Sequence, residues 1–262
     1  MTTTTVPALS VLGTCGAWPA AGRAASGLLV EADGFRVVLD LGYGTLPRLL
    51  AHCTADEVDA VVITHGHPDH CADLSALGRA LTFGDTRAGD IPAGGTRAGG
   101  RRVGRTPLYC PDGVLERVQA MEPSEDLREV FDPHPLPGSH EVGPFRLDGL
   151  LLPHHVPHAG VRLTVSGLVL AYSGDAGPDR RLGELASGAD LFVAGATLQG
   201  ADRDPYLLSA AEAGRWAADT RAARLLLTHF WPGSERSRAV AEASAAYDGE
   251  VLAADEGMSL TL

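Results

Sequence analysis

The sequence predicts an α/β fold in which two β-sheets pack face to face and carry helices on their outer surfaces. Apolar runs of strand length alternate with helical patterns along the 262 residues, and the second half repeats this order. No segment with the composition of a linker separates the two halves. We therefore expect a single domain over residues 1–262, with a Gly/Arg-rich loop over 84–106.

The first half begins with three short apolar segments, which are separated by turns containing Gly22 and Gly34. Thr54–Glu57 then matches the capping box that starts a helical turn. The apolar run that follows it has the length of a buried strand. The predicted strands are Leu9–Gly13, Gly27–Glu31, Phe35–Leu41 and Val58–Thr64, and the predicted helices are Leu46–His52 and Leu74–Leu81.

The second half contains the same kinds of segment. A second capping box, Ser209–Glu212, begins a helix that should end near Asp219. The other predicted helices are Pro178–Ala186 and Ser234–Ala246, and the predicted strands are Phe145–Leu152, Val161–Val165, Leu168–Ser173, Asp190–Ala194, Leu225–Leu227 and the closing segment Glu250–Leu262.

The composition excludes several classes of function. A formal net charge of −12 argues against a broad nucleic-acid-binding face, because phosphate binding depends on Lys and Arg. The chain contains no Lys and no Asn, which removes Schiff-base chemistry, a phosphate-loop lysine and a Cys-His-Asn triad. It also has no Gly-x-Ser-x-Gly nucleophile elbow, and its four cysteines have no Cys-x-x-Cys spacing.

The sequence carries no signal for a membrane or for export. No apolar run approaches the roughly 18 residues that a membrane span needs. The segment Met1–Pro7 has no basic residue ahead of an apolar stretch, as a secretory signal would. We expect a cytoplasmic protein with reduced thiols and no membrane partner.

The Gly-rich segment from Gly84 to Gly104 is a local exception to the acidic balance. Two interpretations remain open for it. It is either a solvated flexible insertion or a basic lip that guides an anionic substrate towards the site. The arginines in question are Arg97, Arg101, Arg102 and Arg105.

The segment 65–70 reads His-Gly-His-Pro-Asp-His and contains three histidines and one carboxylate within six residues. Neutral imidazole and carboxylate are ligands that zinc binds well. The His-x-His spacing lets His65 and His67 face the same way along an extended segment. Asp69 and His70 follow the bend at Pro68 and are placed to face a second ion.

Three further ligand-type residues, His154, Asp175 and His229, each follow a predicted strand, as His65 does. Strand ends on one edge of a sheet hold several side chains rigidly together. Four such positions therefore favour one shared metal centre. Asp40 stands at the end of the predicted strand Phe35–Leu41. It is either a partner that orients a ligand histidine or a buried turn carboxylate with a structural role.

With these residues identified, the sequence resembles the metallo-β-lactamase superfamily, whose signature is His-x-His-x-Asp-His. It is most similar to the ribonuclease Z and cyclic-nucleotide phosphodiesterase branch. The resemblance implies an αββα sandwich of two mixed β-sheets with outer helices. It is carried by the histidine cluster together with Val11-Leu12-Gly13-Thr14-Cys15-Gly16, Leu39-Asp40-Leu41-Gly42, His154 through Gly160-Val161-Arg162, Ala171-Tyr172-Ser173-Gly174-Asp175 and Leu227-Thr228-His229.

The resemblance implies a set of seven metal ligands. His154 is preferred to His155 because its distance from Gly160 and Arg162 matches the family spacing. His155 and His158 are expected on the surface or at the rim of the pocket. One ion would be held by His65, His67 and His154, the other by Asp69, His70 and His229, and Asp175 would bridge the two.

The resemblance also implies the cofactors and the mechanism. Two zinc ions are expected, with Mn²⁺ or Fe²⁺ as alternatives for the same donors. Two such cations, about 3.5–4 Å apart, lower the pKa of a bridging water so that it attacks as hydroxide. Asp69 would orient this nucleophile or accept its proton. The substrate is expected to be a small anion, and a homodimer is expected because dimers are common in the branch.

Two departures from the family pattern bear on the substrate. Only 21 positions separate His154 from Asp175, which leaves no room for the tRNA-gripping arm of RNA-processing members, so we do not expect tRNA as a partner. In phosphodiesterase-like members a Glu and a His help to protonate the departing oxygen, and this chain has Gly195 and Leu207 in their places. Acid assistance of this kind contributes ~10²–10⁴-fold when the leaving group is poor.

Three functions therefore remain open. Hydrolysis of a phosphodiester such as a cyclic nucleotide is favoured by the family likeness. Hydrolysis of a lactone, thioester, ester or amide is favoured by the missing acid pair. An inactive metal-binding partner protein is the least favoured, because the ligand set is intact.

Overall fold

The computed structural model describes residues 6–84 and 104–262, and within them 14 strands form two seven-stranded sheets. The strands are β1 (Ala8–Gly13), β2 (Gly27–Ala32), β3 (Phe35–Leu41), β4 (Ala60–Val62), β5 (Thr106–Cys110), β6 (Phe131–Pro135), β7 (Gly138–Val142), β8 (Phe145–Leu151), β9 (Ala159–Val165), β10 (Leu168–Tyr172), β11 (Leu191–Gly195), β12 (Arg224–Thr228), β13 (Glu250–Ala253) and β14 (Ser259–Thr261). The helices are α1 (Thr45–Leu49), α2 (Pro68–Phe83), α3 (Val114–Gln119), α4 (Arg181–Leu185), α5 (Ala210–Thr220) and α6 (Arg236–Ser244), with 3₁₀ turns at Ala55–Glu57 and Leu127–Glu129.

Both sheets are mixed, which confirms the predicted fold class. The first has the order β14-β1-β2-β3-β4-β5-β6, and the second has the order β13-β12-β11-β10-β9-β8-β7. Strands β3 to β6 are parallel, as are β10 to β13, and the remaining pairs are antiparallel. Parallel neighbours end at the same edge of a sheet, so each sheet has an edge where several strand ends meet.

Three apolar cores hold the layers together. One lies between the sheets and includes Leu28 and Val37 of the first sheet and Phe145 and Tyr172 of the second. A second core packs α1, α2 and α3 on the first sheet, and a third packs α4, α5 and α6 on the second. The layers are therefore helix, sheet, sheet, helix. Within the described residues, no helix has both the length and the apolar character that crossing a membrane requires.

The predicted start of the helix after the histidine cluster is wrong, because α2 begins at Pro68 rather than Leu74. Proline suits the first helical position, since its φ is already helical and its missing N–H needs no partner there. The bend expected at Pro68 is thus the entry of a helix. Both capping boxes form as predicted, before Ala55–Glu57 and before α5.

The Gly/Arg-rich loop predicted over 84–106 ends earlier than expected, because β5 begins at Thr106. Of the four arginines of the proposed basic lip, Arg97, Arg101 and Arg102 lie outside the described residues. Arg105 pairs with Asp132 at 2.8 Å, so this guanidinium is bound to the neighbouring strand β6. Strands β5, β6 and β7 and helix α3 occupy a region for which the sequence predicted no element.

Candidate metal centre

The histidine-rich turn joins β4 to α2 at the carboxyl edge of the first sheet. β4 ends at Val62 and runs parallel to β3, so the ends of both strands lie at this edge. His67 is the N-cap of α2, which places Asp69 and His70 in the first helical turn. The thiol of Cys71 donates to the carbonyl oxygen of His67 at 3.2 Å and supports this turn from behind.

The second sheet supplies three residues from its own carboxyl edge. Asp175 follows β10 and His229 follows β12, and these strands are parallel through β11. His154 follows β8, which runs in the same direction as β10 because both are antiparallel to β9. The two carboxyl edges face each other across the inter-sheet core.

The structure brings together all seven residues that the sequence analysis singled out, and it arranges them in two groups. Within each group the candidate ligand atoms all lie within 4.8 Å of one another. Asp175 belongs to both groups. The first group is His65, His67, His154 and Asp175, and the second is Asp69, His70, Asp175 and His229.

In the first group, three imidazole nitrogens converge. His67 Nδ1 lies 3.0 Å from His65 Nε2 and 3.1 Å from His154 Nε2. Asp175 Oδ2 lies 3.8 Å and 4.0 Å from the same two Nε2 atoms. A single proton on His67 Nδ1 satisfies one of these nitrogen contacts and not both, whereas one cation among the nitrogens satisfies all three lone pairs.

In the second group, two buried polar atoms face each other without forming a hydrogen bond. His70 Nε2 lies 3.0 Å from Asp175 Oδ1, yet neither atom makes a hydrogen bond with any described residue. His229 Nε2 lies 3.0 Å from Asp175 Oδ2 and 3.3 Å from Asp69 Oδ2. Buried polar atoms normally have partners. Two buried atoms without partners, in a set of imidazoles and carboxylates, are what a site for a divalent cation between them would show.

Asp40 holds His70 in place. This fully buried carboxylate accepts hydrogen bonds from His70 Nδ1 (2.7 Å), from the Thr64 backbone N–H (2.7 Å) and from the Tyr172 hydroxyl (2.9 Å). It is the penultimate residue of β3 and has the left-handed conformation, with a φ of 59°. Because Nδ1 of His70 is engaged, its Nε2 faces the second group.

Three other histidines are fixed in the same way through Nδ1. His65 Nδ1 is hydrogen-bonded to Thr64 Oγ1 at 3.1 Å, and His229 Nδ1 to Thr197 Oγ1 at 2.8 Å. His154 Nδ1 lies 3.1 Å from the carbonyl oxygen of Tyr206. Each contact leaves Nε2 directed at a group. Sequence reasoning gave no role to Thr197 or to Tyr172, although Tyr172 stands in one of the motifs that carried the resemblance.

Opposite charges compensate one another in the second group. Burial lowers the pKa of His70, but the carboxylates of Asp175, Asp40 and Asp69 outweigh it and raise that pKa well above its usual value. Burial likewise lowers the pKa of His229, and the carboxylate of Asp175 and the hydrogen bond to Asp69 raise it to about 9. Burial raises the pKa of Asp69, yet His70 and His229 bring it down to about 2.

The first group is held in the neutral form that binds a cation. Burial moves the pKa of His65 well below its usual value, and the neighbouring His70 lowers it further. The pKa values of His67 and His154 are also lowered, in both cases chiefly by burial. A neutral imidazole presents a lone pair, so these three side chains are ready to ligate near neutral pH.

The prediction that His158 lies on the surface or at the rim is wrong, because its side chain is fully buried beneath the first group. Its ring centroid is 5.2 Å from that of His65 and 5.6 Å from that of His154. A Cβ on Gly174 would fall 2.5 Å from His158 Nε2, so the glycine makes room for this ring. His155 is exposed, as expected, and packs against Tyr206 with ring centroids 4.5 Å apart.

The other histidines of the described chain take no part in either group. His134 and His140 pack around Tyr109, with ring centroids 4.9 Å from it, in the strands β5, β6 and β7. His52 is exposed after α1. Leaving these three out of the candidate site therefore agrees with their positions.

A two-sheet fold with a His/Asp centre at its facing edges defines the class of protein, a metal-dependent hydrolase of metallo-β-lactamase fold. Residues 35–230 match the family model described as the beta-lactamase superfamily domain. The chain belongs to this family.

Relatives extend this likeness along nearly the whole chain. The uncharacterized protein ML1173 of Mycobacterium leprae is 35% identical over 264 residues, which covers 95% of this chain and 86% of that protein. The probable metallo-hydrolase YhfI of Bacillus subtilis is 28% identical over 254 residues, covering 95% and 97% of the two chains. The crystal structure of YhfI superposes with a TM-score of 0.83 at 25% identity, covering 98% of this chain and 99% of that one. The short form of human tRNase Z has the same fold, with a TM-score of 0.74 at 22% identity over 97% of this chain and 98% of its own.

Proposed function

We propose that the protein is a dinuclear metal-dependent hydrolase that cleaves a phosphodiester such as a cyclic nucleotide. The observation that carries this proposal is the pair of ligand groups joined by Asp175. When bound, two cations supply an acidified water and electrostatic stabilisation of the negative charge that develops on the phosphoryl oxygens. Zn²⁺ suits these imidazole and carboxylate donors, with Mn²⁺ or Fe²⁺ as alternatives.

The proposed ligand roles follow the two groups. The neutral histidines of the first group take one ion, and the charge-compensated second group takes the other. Asp175 Oδ1 lies 3.0 Å from His70 Nε2 in the second group, and its Oδ2 lies 3.8 Å from His65 Nε2 in the first, which suits a carboxylate shared by the two groups. The ligands are then His65, His67 and His154 for one ion, Asp69, His70 and His229 for the other, and Asp175 for both.

Asp69 is proposed to orient the attacking water. Its Oδ2 accepts the backbone N–H of Ala17 at 2.6 Å and lies 3.3 Å from His229 Nε2, so the carboxylate is held in one orientation. A carboxylate fixed in this way is suited to orienting a water molecule.

A small anionic substrate fits this centre better than tRNA does. The interval between His154 and Asp175 is filled by the hairpin of β9 and β10, whose strands are joined through Ser166 and Gly167. A long RNA-gripping arm has no place in that interval. A single domain, a homodimer and a cytoplasmic location remain predictions from the sequence.

One observation favours the alternative, hydrolysis of a lactone, thioester, ester or amide. Gly195 is the last residue of β11, and a Cβ built on it would lie 4.0 Å from His229 Cβ. The position thus borders the second group but offers no carboxylate to donate a proton. Leu207 also brings no proton donor. A phenolate, enolate or thiolate leaves without such help, so the missing pair costs these leaving groups least.

We expect the metal-loaded protein to hydrolyse bis-p-nitrophenyl phosphate and cyclic AMP, measured as release of p-nitrophenolate and of AMP. His67→Ala should abolish this turnover, whereas His52→Ala, which changes an exposed histidine outside both groups, should retain it. Turnover of lactones or thioesters with none of phosphodiesters would replace the proposal by its alternative. Turnover that survives His67→Ala would remove the metal centre from the mechanism.

Restoring the acid pair should raise activity on poor leaving groups. The double variant Gly195→Glu/Leu207→His is expected to gain roughly 10–100-fold in kcat on cyclic AMP, where an alkoxide leaves, with little gain on bis-p-nitrophenyl phosphate. The Cβ at Gly195 would meet the Gly174 carbonyl oxygen at 3.0 Å, so Gly195→Ala serves as the control for local strain. Equal effects on both substrates would mean that these positions do not handle the leaving group.

A further inference from the structure

Two exposed tryptophans lie side by side next to the second group. Trp18 is 51% exposed and Trp231 is 41% exposed, and their ring centroids are 6.4 Å apart with a 40° angle between the planes. Large apolar rings gain free energy by leaving water. Two such rings held together at the surface are typical of a recognition site for another flat or apolar group.

The backbone attaches both indoles closely to candidate metal ligands. Ala17, which precedes Trp18, donates its N–H to Asp69 Oδ2 at 2.6 Å. Trp231 is two residues after His229, whose Nε2 lies 3.3 Å from that same oxygen. Consecutive Cα atoms are about 3.8 Å apart. The Cα atoms of the two tryptophans therefore lie only one or two residues along the chain from the groups that contact Asp69.

The two segments that carry the indoles are joined to each other. The Gly16 N–H donates to the Phe230 carbonyl oxygen at 3.0 Å, and the Phe230 N–H donates to the Thr14 carbonyl oxygen at 2.9 Å. Gly16 is needed there, since a Cβ would fall 2.6 Å from the imidazole of His229. The pair is therefore organised before any ligand arrives, which reduces the entropy lost on binding.

We propose that Trp18 and Trp231 bind the planar aromatic base of a nucleotide substrate, whose phosphate then reaches the two ligand groups. This inference rests on the proposed function and names the substrate class as a nucleotide. In a nucleotide, one sugar separates the base from the phosphate. This separation is similar to that between the indoles and the candidate metal ligands, which are one or two residues apart along the chain. Every base presents a π face, so stacking selects for a base without selecting its identity.

The exposed area argues against a second copy of the chain as the occupant. An aromatic side chain buries about 150–250 Å² when fully covered, so two half-exposed indoles offer roughly 150–250 Å² together. A stable interface needs about 800 Å² from each partner. The pair offers enough surface for a small flat ligand, whereas a protein partner needs much more surface than the pair provides.

The test compares the binding of AMP and ribose 5-phosphate to the full-length metal-loaded protein by titration calorimetry. These probes share a phosphate and a ribose and differ in the base. We expect AMP to bind more tightly, and Trp18→Ala and Trp231→Ala each to weaken AMP binding by roughly tenfold while leaving ribose 5-phosphate binding unchanged. Trp18→Phe keeps a ring and should retain most of the preference. In turnover of cyclic AMP, the alanine variants should raise KM and leave kcat nearly unchanged.

Phe83→Ala is the matched control, since Phe83 is another exposed aromatic residue at the far end of α2, about 20 Å along the helix from Asp69. Equal affinity of the wild-type protein for both probes would overturn the inference, as would failure to bind AMP. A preference for AMP that survives both alanine variants would overturn it too. So would a change from dimer to monomer in sedimentation with an unaltered preference, which would identify the pair as a contact between copies.

Failure of this inference and failure of the proposed function give different results. If phosphodiesters are not hydrolysed but AMP binds through the two tryptophans, the nucleotide site is supported and the proposed reaction is wrong. If phosphodiesters are hydrolysed while AMP and ribose 5-phosphate bind with equal affinity, the proposed reaction is supported and the base-binding site is wrong.

Discussion

Asp175→Ala is expected to lower the metal content of the purified protein from the two equivalents that we propose to less than one and to remove hydrolysis. This carboxylate belongs to both ligand groups, so its loss opens both at once. Removing a single electrostatic donor from an active site already costs about 10²–10³-fold in rate, and in the proposed mechanism the nucleophile itself depends on the cations. We therefore expect kcat/KM to fall by roughly 10³-fold or more.

The measurement pairs elemental analysis with initial rates on bis-p-nitrophenyl phosphate. Asp179→Ala is the control, because Asp179 lies four residues later and is partly exposed, and its carboxylate bonds Arg181 rather than either group. It should retain both the metal and the rate. If Asp175→Ala retains two equivalents and its activity, the bridge between the groups is wrong. If it loses one equivalent only, Asp175 serves one group and not both.

The candidate ligands were predictable because the sequence next to each of them indicates its role. The cluster of His65, His67, Asp69 and His70 is dense enough to stand out, and His154, Asp175 and His229 each follow an apolar strand. Strands that are parallel to one another end at one edge of a sheet, so residues that follow such strands are predicted to lie close together. The structure places all of them within two compact groups.

The parts that could not be predicted depend on contacts between distant segments. Tyr172 reaches Asp40 across 132 positions, and nothing in its own neighbourhood indicates that partner. The pairing of Trp18 with Trp231 joins segments more than 200 residues apart. Burial of His158 also depends on another segment, because Gly174 leaves space for the ring.

The strands β5 and β6 were missed for a different reason. Their residues include Pro107, Pro133 and Pro135, which interrupt the pattern of a strand because proline cannot donate to a sheet. In β6 only Phe131 is buried, so its sequence also lacks an apolar run. It is an edge strand of the first sheet, the position in which prolines are tolerated.

Asp40→Asn is expected to weaken metal binding by about 10–100-fold, the usual cost of removing a partner that orients a metal-binding histidine. The carboxylate receives hydrogen bonds from His70, Thr64 and Tyr172. An asparagine in its place has one acceptor oxygen and directs an NH₂ group at donors, so at least one buried donor loses its partner. Each buried group left unpaired costs about 1–3 kcal/mol of stability. Asparagine also tolerates the left-handed backbone at this position, so the substitution tests the charge and hydrogen bonds and not the turn.

Two readouts separate the roles of Asp40. Metal affinity is measured by competition with a chelator, and the free energy of unfolding of the metal-free protein by denaturant titration. Tyr172→Phe is the milder comparison, since it removes one donor and leaves the contact between Asp40 and His70 intact; it should lower stability by about 1 kcal/mol and alter metal affinity little. If Asp40→Asn lowers stability without weakening metal binding, Asp40 is a structural carboxylate of the turn. If both fall together, the orientation of His70 and the stability of the fold depend on the same buried carboxylate.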